Sequence, residues 1–472
     1  MKSDGTLERY KARWVVRGFN QRPDIDFGET FSLVIKPATI RTVLTLVASR
    51  NWPAHQLDVS NAFLHGDLQE QVFCQQPTGF ADAARPDHVC LLTRSLYGLR
   101  QAPQAWFDRF VGHVTSLGFV QSRADTSLFV YNRAGAQAYL LLYVDDMILA
   151  ASSTALLQFF VKRLRDAFKV KDMGPVHHFL GINVRRTGND FFLSQTRYAE
   201  DLLERAGMAN CNSVATPADT KGKASATDGT LIDDATSYRS LAGALQYLTV
   251  TRPDIAYVVQ QVCLHMHAPR DVHLTMLKRI LRYIKGTAHL GVQLRAISSP
   301  LITAYSDADW AGCPDTSRST SGYCVFLGSS LISWSSKRQT TVSRSSAEAE
   351  YRAIANVVSE CSWLRQLLSE LLCKVPSATV AFCDNISSVY MSKNPVHHRR
   401  TKHIELDIHF VREKVAIGEL RVTHVPSARQ LADVFTKGLP SAPFFDFRDR
   451  LSIATADVDT AGGCQRSTTT GG

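Results

Sequence analysis

The hydrophobic positions of this chain change period several times, and each change predicts an element. Between Ala138 and Ala151 the string AYLLLYVDDMILAA is apolar except for two adjacent aspartates near its centre. β-forming apolar runs on both sides of Asp145 and Asp146 predict buried strands joined at a tight turn, with both carboxylates at the hairpin tip. Earlier, TLERYKARWVVRGFNQ (6–21) alternates basic and apolar residues around Trp14 to Val16, which predicts a strand with one cationic face. HQLDVSNAFLHGDL sets Asp58 just after a short apolar strand, and SLYGLRQAPQAWFDRF predicts a turn at Tyr97 and Gly98 followed by a helix beyond Pro103. In FKVKDMGPVHHFLGINVRRTGNDFFLSQ, Gly174-Pro175 and Gly188-Asn189 separate three extended segments.

The second half is more helical. Residues 211–236 are nearly free of large apolar side chains and predict a solvated linker, with a domain boundary there. Helical spacing follows at Ser237 to Thr249 and Pro253 to His267, and DVHLTMLKRILRYIKGT ends at Gly286. That last helix sets Leu277, Ile280, Leu281 and Ile284 on one face and Lys278, Arg279, Arg282 and Lys285 on the other. Apolar strands then run into Asp307 (LITAYSDADWAG) and Asp384 (VAFCDN). Between them SRSSAEAEYRAIANVVSECSWLRQLL is an amphipathic helix whose apolar face, extended backwards, meets Glu350.

Composition narrows the class. With 472 residues, 45% hydrophobic and 20% charged, the chain is expected to fold into two to four domains with a large core. The formal charge of +10, from 53 Lys+Arg against 43 Asp+Glu, favours a polyanionic partner such as nucleic acid. Ten cysteines without a CxxC pair or a preceding secretory signal read as reduced thiols. No apolar run reaches the roughly 18 residues of a membrane span, so a soluble protein without membrane partners is expected. His397, His398, His403 and His409 lie near Glu405 but lack zinc-ligand spacing, and no zinc is assigned.

The carboxylates carry the candidate chemistry. Adjacent ionised carboxylates such as Asp145 and Asp146 repel, and a divalent cation relieves this, although Asp is also an ordinary turn residue. Asp58 suits a carboxylate aimed into a cleft or a plain cap, and Phe63 suits a core position equally well. Glu348 fits a capping box with Ser345, whereas Glu350 faces inward near two strand-end aspartates and again implies metal. Asp384 alone would read as an N-cap. Ser427 and Gln430 form a second apparent capping box, with Asp433 a turn inside its helix.

The string Tyr143-Val144-Asp145-Asp146 between apolar strands resembles the palm hairpin of reverse transcriptases, and KARWVVRG resembles a fingers strand of the copia type. The resemblance implies a multidomain α+β and α/β fold, with a right-hand polymerase palm and fingers, a helical thumb or connection and a ribonuclease H-like α/β domain. It implies that Asp58, Asp145 and Asp146 are catalytic metal ligands with the Val59 carbonyl beside them. Lys11 and Arg13 would hold nucleotide phosphates, Phe63 would be a steric gate against a 2′-hydroxyl, and Tyr97 and Gly98 would position template and nucleotide. Residues 168–195 look like a primer grip. The order Asp307, Glu350, Asp384, Asp433 resembles ribonuclease H, and these would be its catalytic metal ligands; His424 has no clear match to that family's mobile-loop histidine.

The expected layout is fingers and palm over 1–210, linker over 211–236, thumb or connection over 237–295, ribonuclease H over 300–440 and a disordered tail over 441–472. The resemblance implies an RNA-directed DNA polymerase with ribonuclease H activity, using two Mg²⁺ ions per site with Mn²⁺ as a substitute. Its partners would be an RNA template, a DNA primer, an RNA/DNA hybrid and dNTPs. Other expectations are a fragment of a longer polyprotein lacking part of the fingers, a nucleic-acid-binding relic, or a nuclease active alone. Residence in a cytoplasmic virus-like particle or the nucleus, rather than secretion, is expected, with oligomeric state open.

Overall fold

The computed structural model describes residues 14–28, 30, 35–220, 222–394 and 404–456. Its contacts divide it into two compact units, residues 1–43 with 50–179, and residues 44–49 with 180–472.

The elements of the first part are α1 (Pro37–Ser49), β1 (Ala54–Val59), β2 (Asp67–Gln75), β3 (Val89–Arg94), α2 (Ala102–Ser116), β4 (Val120–Gln121), β5 (Leu128–Arg133), β6 (Ala136–Tyr143), β7 (Asp146–Ala151), α3 (Thr154–Ala167), β8 (Val170–Pro175) and β9 (His178–Phe179). Strands order as β4-β5-β6-β7-β1-β8, antiparallel throughout. Alternate residues of the central strands, among them Ala138, Leu140, Leu142, Met147 and Leu149, pack against Trp106 and Phe110 of α2 and Leu157 and Phe160 of α3. The opposite residues Tyr139, Leu141 and Ile148 are buried too, which is why the run shows no period-two alternation. β2 and β3 form a separate hairpin.

The expected strand over 6–21 is not one where it is described. Residues 14–17 are irregular, and Gly18–Asn20 form a 3₁₀ turn. The Val16 N–H donates to the Tyr97 carbonyl at 2.8 Å. Gly98 has φ +97°, and a Cβ there would run into the Val16 carbonyl, so glycine is required where the two segments meet.

The second unit contains β10 (Ile182–Thr187), β11 (Asp190–Ser194), α4 (Thr196–Arg205), α5 (Ala235–Leu248), α6 (Ala256–Cys263), α7 (Asp271–Thr287) and β12 (Gly291–Leu294). It continues through β13 (Ile302–Asp309), β14 (Thr320–Leu327), β15 (Ser330–Arg338), α8 (Ser346–Glu370), β16 (Thr379–Cys383), α9 (Ile386–Lys393), α10 (Glu405–Ala416), β17 (Leu420–His424), α11 (Ser441–Arg450) and β18 (Ile453–Ala454). A five-stranded sheet orders as β15-β14-β13-β16-β17, antiparallel up to β13 and parallel beyond it.

The contacts divide at 179/180 rather than at 210, because β11 pairs with β12, and β12 with β18, while Leu202 and Leu203 of α4 join the core of α5 and α7. That core is continuous with Cys324, Phe326 and Leu331 of the five-stranded sheet, so the helical segment and the following α/β segment share one interior.

Two expectations need correction. Residues 441–454 are not a disordered tail: Phe444, Phe447, Leu451 and Ile453 bury themselves in the shared core, an apolar spacing that the polar residues further on obscure. Nor are the described residues of 211–236 a solvated linker. Arg282 Nε donates to the Asn212 carbonyl at 2.8 Å, Arg279 Nη2 to Thr216 Oγ1 at 3.1 Å, and the Ala226 N–H to Asp315 Oδ2 at 2.9 Å. Lys223 is ion-paired with Asp309. Polar groups tie this strap down together with Val214, Ala218 and Ile232, which pack against the shared core, and two of the four basic residues on the outer face of α7 are thereby engaged.

Candidate active sites

In the first unit, register brings the carboxylates together. Asp58 on β1 stands directly opposite Asp146 on β7, and Tyr143 pairs with Asp146 across the β6–β7 turn, leaving Val144 and Asp145 as the turn residues. Val144 has φ +54°, costly for a β-branched residue at about 1–3 kcal/mol. Two bonds offset that strain: the Trp106 indole donates to the Val144 carbonyl at 2.7 Å, and the Val59 N–H donates to the Asp145 carbonyl at 2.9 Å. The Asp145 carboxylate is therefore displayed to solvent on a pinned backbone, while Asp58 and Asp146 are half-buried.

Burial, with Asp145 and Asp58 adding repulsion, raises the Asp146 carboxyl above its ordinary range, and His178 and Gln56 pull the other way. Phe63 lies in the turn after β1, half-buried, its ring 5.2 Å from that of Tyr97. Phe63, Tyr97 and Gly98 thus share one neighbourhood. Lys11 and Arg13 lie outside the described residues.

In the second unit the four carboxylates converge at one end of the five-stranded sheet. Asp307 is on β13, Glu350 in the second turn of α8, Asp384 just past β16, and Asp433 in a 3₁₀ turn at Leu431–Phe435. Ligand atoms of Asp307, Asp384 and Asp433 all lie within 4.8 Å of one another, as do those of Glu350, Cys383 and Asp384. The Ala308 N–H donates to Glu350 Oε1 at 3.3 Å, and the Cys383 thiol to Glu350 Oε2 at 3.6 Å. The Thr436 hydroxyl donates to Asp307 Oδ2. Lys437 Nζ sits 3.0 Å from Asp433 Oδ1 and 3.8 Å from Asp307 Oδ2.

Burial, reinforced by Asp307 and Asp384, pushes Glu350 up to about 9. Asp433 is pushed up to about 7 by burial and Asp307, against the pull of Lys437. Burial outweighs Lys437 and Thr436 at Asp307 and raises it as well. Buried carboxylates this close hold their charges only beside a cation, so the donor set fits a divalent metal.

The neighbours resolve the capping alternatives. Ser345 caps α8 by accepting from the Glu348 N–H at 3.3 Å, and Glu348 accepts from the Arg344 N–H at 2.8 Å, one residue before the box partner expected. Asn385, not Asp384, caps α9, and Asp384 accepts from the Ser427 hydroxyl at 2.8 Å instead. The second capping box does not form: Ser427 is engaged by Asp384, and Gln430 caps the 3₁₀ turn while donating to the Ser306 carbonyl at 2.9 Å. Cys383, Thr436 and Lys437 were missed from sequence; for the last two, their place one turn beyond Asp433 was the available signal. His409 lies 3.7 Å from Glu405 on the exposed face of α10, while His397, His398 and His403 lie outside the described residues.

An antiparallel sheet bearing the aspartate hairpin, followed by a mixed sheet with four carboxylates at one end, is the layout expected of the multidomain α+β and α/β fold that the sequence resembles. Residues 1–220 match the family described as reverse transcriptase (RNA-dependent DNA polymerase). The retrovirus-related Pol polyprotein from transposon RE2 of Arabidopsis thaliana is 48% identical over 451 residues, covering 96% of this chain and 31% of that protein. A Ty5-1 transposon protein of Saccharomyces cerevisiae is 31% identical over 307 residues, covering 64% of this chain and 100% of that protein. The chain belongs to the copia-type family of retrovirus-related Pol polyproteins. It spans about a third of the length of the plant transposon polyproteins it matches. The foamy viral protease-reverse transcriptase solved in complex with RNA/DNA hybrid overlays at a TM-score of 0.45 and 14% identity, covering 81% of this chain and 45% of that one, a likeness too distant to argue from.

Proposed function

We propose that this chain is an RNA-directed DNA polymerase with ribonuclease H activity, its two reactions carried by separate carboxylate sites. The observation that carries this reading is the pairing of Asp58 with Asp146 beside the pinned Asp145 turn, in a chain that also assembles Asp307, Glu350, Asp384 and Asp433 at one end of a second sheet.

In the polymerase, Asp58, Asp145, Asp146 and the Val59 carbonyl would hold two Mg²⁺ ions, with Mn²⁺ as a substitute. Such ions lower the pKa of a primer 3′-hydroxyl and neutralise a departing pyrophosphate. The protein's own part is orientation: Trp106 and Val59 fix the turn that carries Asp145, and the β1–β7 register fixes Asp58 against Asp146. Phe63, braced on Tyr97, would exclude a ribose 2′-hydroxyl, and Lys11 and Arg13 would hold the dNTP phosphates.

In the nuclease, the four carboxylates would hold two further ions over the RNA strand of an RNA/DNA hybrid. Asp384, kept in place by Ser427, and Glu350, kept in place by the Ala308 N–H, are oriented before substrate arrives. Residence in a cytoplasmic virus-like particle or the nucleus accords with these substrates. The test is primer extension on a homopolymer RNA template with Mg²⁺ or Mn²⁺, alongside cleavage of a preformed hybrid; failure of both with folded protein overturns the reading.

A further inference from the structure

Lys437 stands where the nuclease carboxylates need positive charge. Its ammonium lies 3.0 Å from Asp433 and 3.8 Å from Asp307, the two carboxylates that close with Asp384 into a single group of ligand atoms. The backbone leading to it is held firmly: Gln430 anchors to the Ser306 carbonyl, and Thr436 donates to Asp307. Beyond those anchors the side chain is 44% exposed, so part of it already lies in solvent. An ammonium and a divalent cation that contact one set of carboxylate oxygens repel each other by the same law that draws each to the oxygens, so they compete for it.

We propose that Lys437 is a tethered counter-ion of the nuclease site, occupying a cation position between Asp307 and Asp433 and leaving it when a divalent ion binds there. It is a positioning residue, acting through the two aspartates. Its chemistry explains how a cluster of buried carboxylates can fold without metal: one fixed positive charge offsets part of their repulsion. The same charge lowers the affinity of the position for metal, so the site loads fully only when ion concentration, or the added negative charge of a nucleic-acid backbone, draws the second cation in. The swing from the carboxylates to solvent also carries the ammonium to the rim, where a phosphate of the bound strand is a ready partner.

The inference rests on reading this quartet as a divalent-cation site, and its test separates the two claims. Mn²⁺ binding is followed by electron paramagnetic resonance on the full chain without nucleic acid. The chain carries Asp58→Asn, Asp145→Asn and Asp146→Asn so that the palm carboxylates contribute nothing. In that background Lys437→Met is expected to tighten Mn²⁺ binding about tenfold, since the competing charge is gone. Lys437→Arg, which keeps the charge, is expected to leave the affinity at or below the parent's. Lys437→Gln repeats the test should the methionine variant fail to fold. Equal or weaker binding in the uncharged variants overturns the proposal, as does an equal gain in the arginine variant, which would trace the effect to packing. Asp307→Asn distinguishes the failures. If it abolishes Mn²⁺ binding while Lys437→Met changes nothing, the counter-ion is wrong and the metal site stands; if it has no effect, the metal site falls with the counter-ion.

Discussion

The two carboxylate sites solve one electrostatic problem in opposite ways. In the palm, Asp145 stands in solvent at a turn and its partners are half-buried, so water shares the work of separating the charges. In the second unit, Asp307, Glu350 and Asp433 are buried, Glu350 and Asp433 are pushed up to about 9 and about 7, and a lysine is built in among them. An open turn leaves room for the triphosphate and primer end proposed for it. A closed cluster suits the proposed action on a backbone lying across it, and it makes ionisation part of that unit's stability.

The comparison breaks most decisively if the sites are not independent. Asp145→Asn is expected to lower primer extension by orders of magnitude while hybrid cleavage continues, and Glu350→Gln to do the reverse, because each removes a ligand from one site alone. Parallel assays of both activities on each variant check this, and loss of both activities in either variant contradicts it.

A backbone lesion sharpens the palm side. Gly98→Ala forces a Cβ into the Val16 carbonyl at φ +97°, with an expected cost of about 1–3 kcal/mol. Extension should fall with a raised nucleotide KM, while hybrid cleavage is unchanged. Equal loss in both assays would mean that Gly98 serves general stability.

The pH dependence separates the sites next. Folded Glu350 and Asp433 keep protons that the unfolded chain releases above its ordinary carboxylate range near pH 4.3, so raising the pH favours unfolding of the metal-free protein. That loss accumulates from about pH 4.3 and ends near 9, where folded Glu350 has also ionised. Glu350→Gln should flatten the decline, as read by thermal melts in chelator between pH 5 and 9. A decline as steep as in the parent chain would remove Glu350 as its source.

The smallest effect concerns sugar choice. Phe63→Val should admit ribonucleotides with little loss of deoxynucleotide use, because the ring braced on Tyr97 is proposed to fill the 2′-hydroxyl space. If Phe63 only supports the core, the variant melts lower and uses both sugars less, which paired dNTP and rNTP kinetics will show.

The aspartate hairpin was legible because two buried β-runs flanking two charges leave little else to form, and the strand-end positions of Asp307 and Asp384 were legible for the same reason. Register was not: nothing local tells that Asp58 pairs with Asp146 rather than with a neighbour, since pairing is decided by packing across the sheet. The strap over 211–236 was misread because apolar content carried the prediction, whereas Arg279, Arg282 and Lys223 hold the chain with polar bonds. Lys437 and Cys383 escaped because each looks ordinary in sequence, a lysine on a polar turn and a cysteine ending an apolar strand. Their meaning comes only from Asp433 being brought against Asp307 and from Glu350 reaching across from α8.

One chain is proposed to hold two metal-dependent sites acting on the two strands of a hybrid. The most direct measurement gives the full chain an RNA template annealed to a DNA primer, each strand carrying its own label, with dNTPs and Mg²⁺, and follows both lengths in one reaction. The DNA strand is expected to lengthen and the RNA strand to shorten, and chelator to stop both. A folded chain that leaves both strands unchanged in Mg²⁺ and in Mn²⁺ would contradict it.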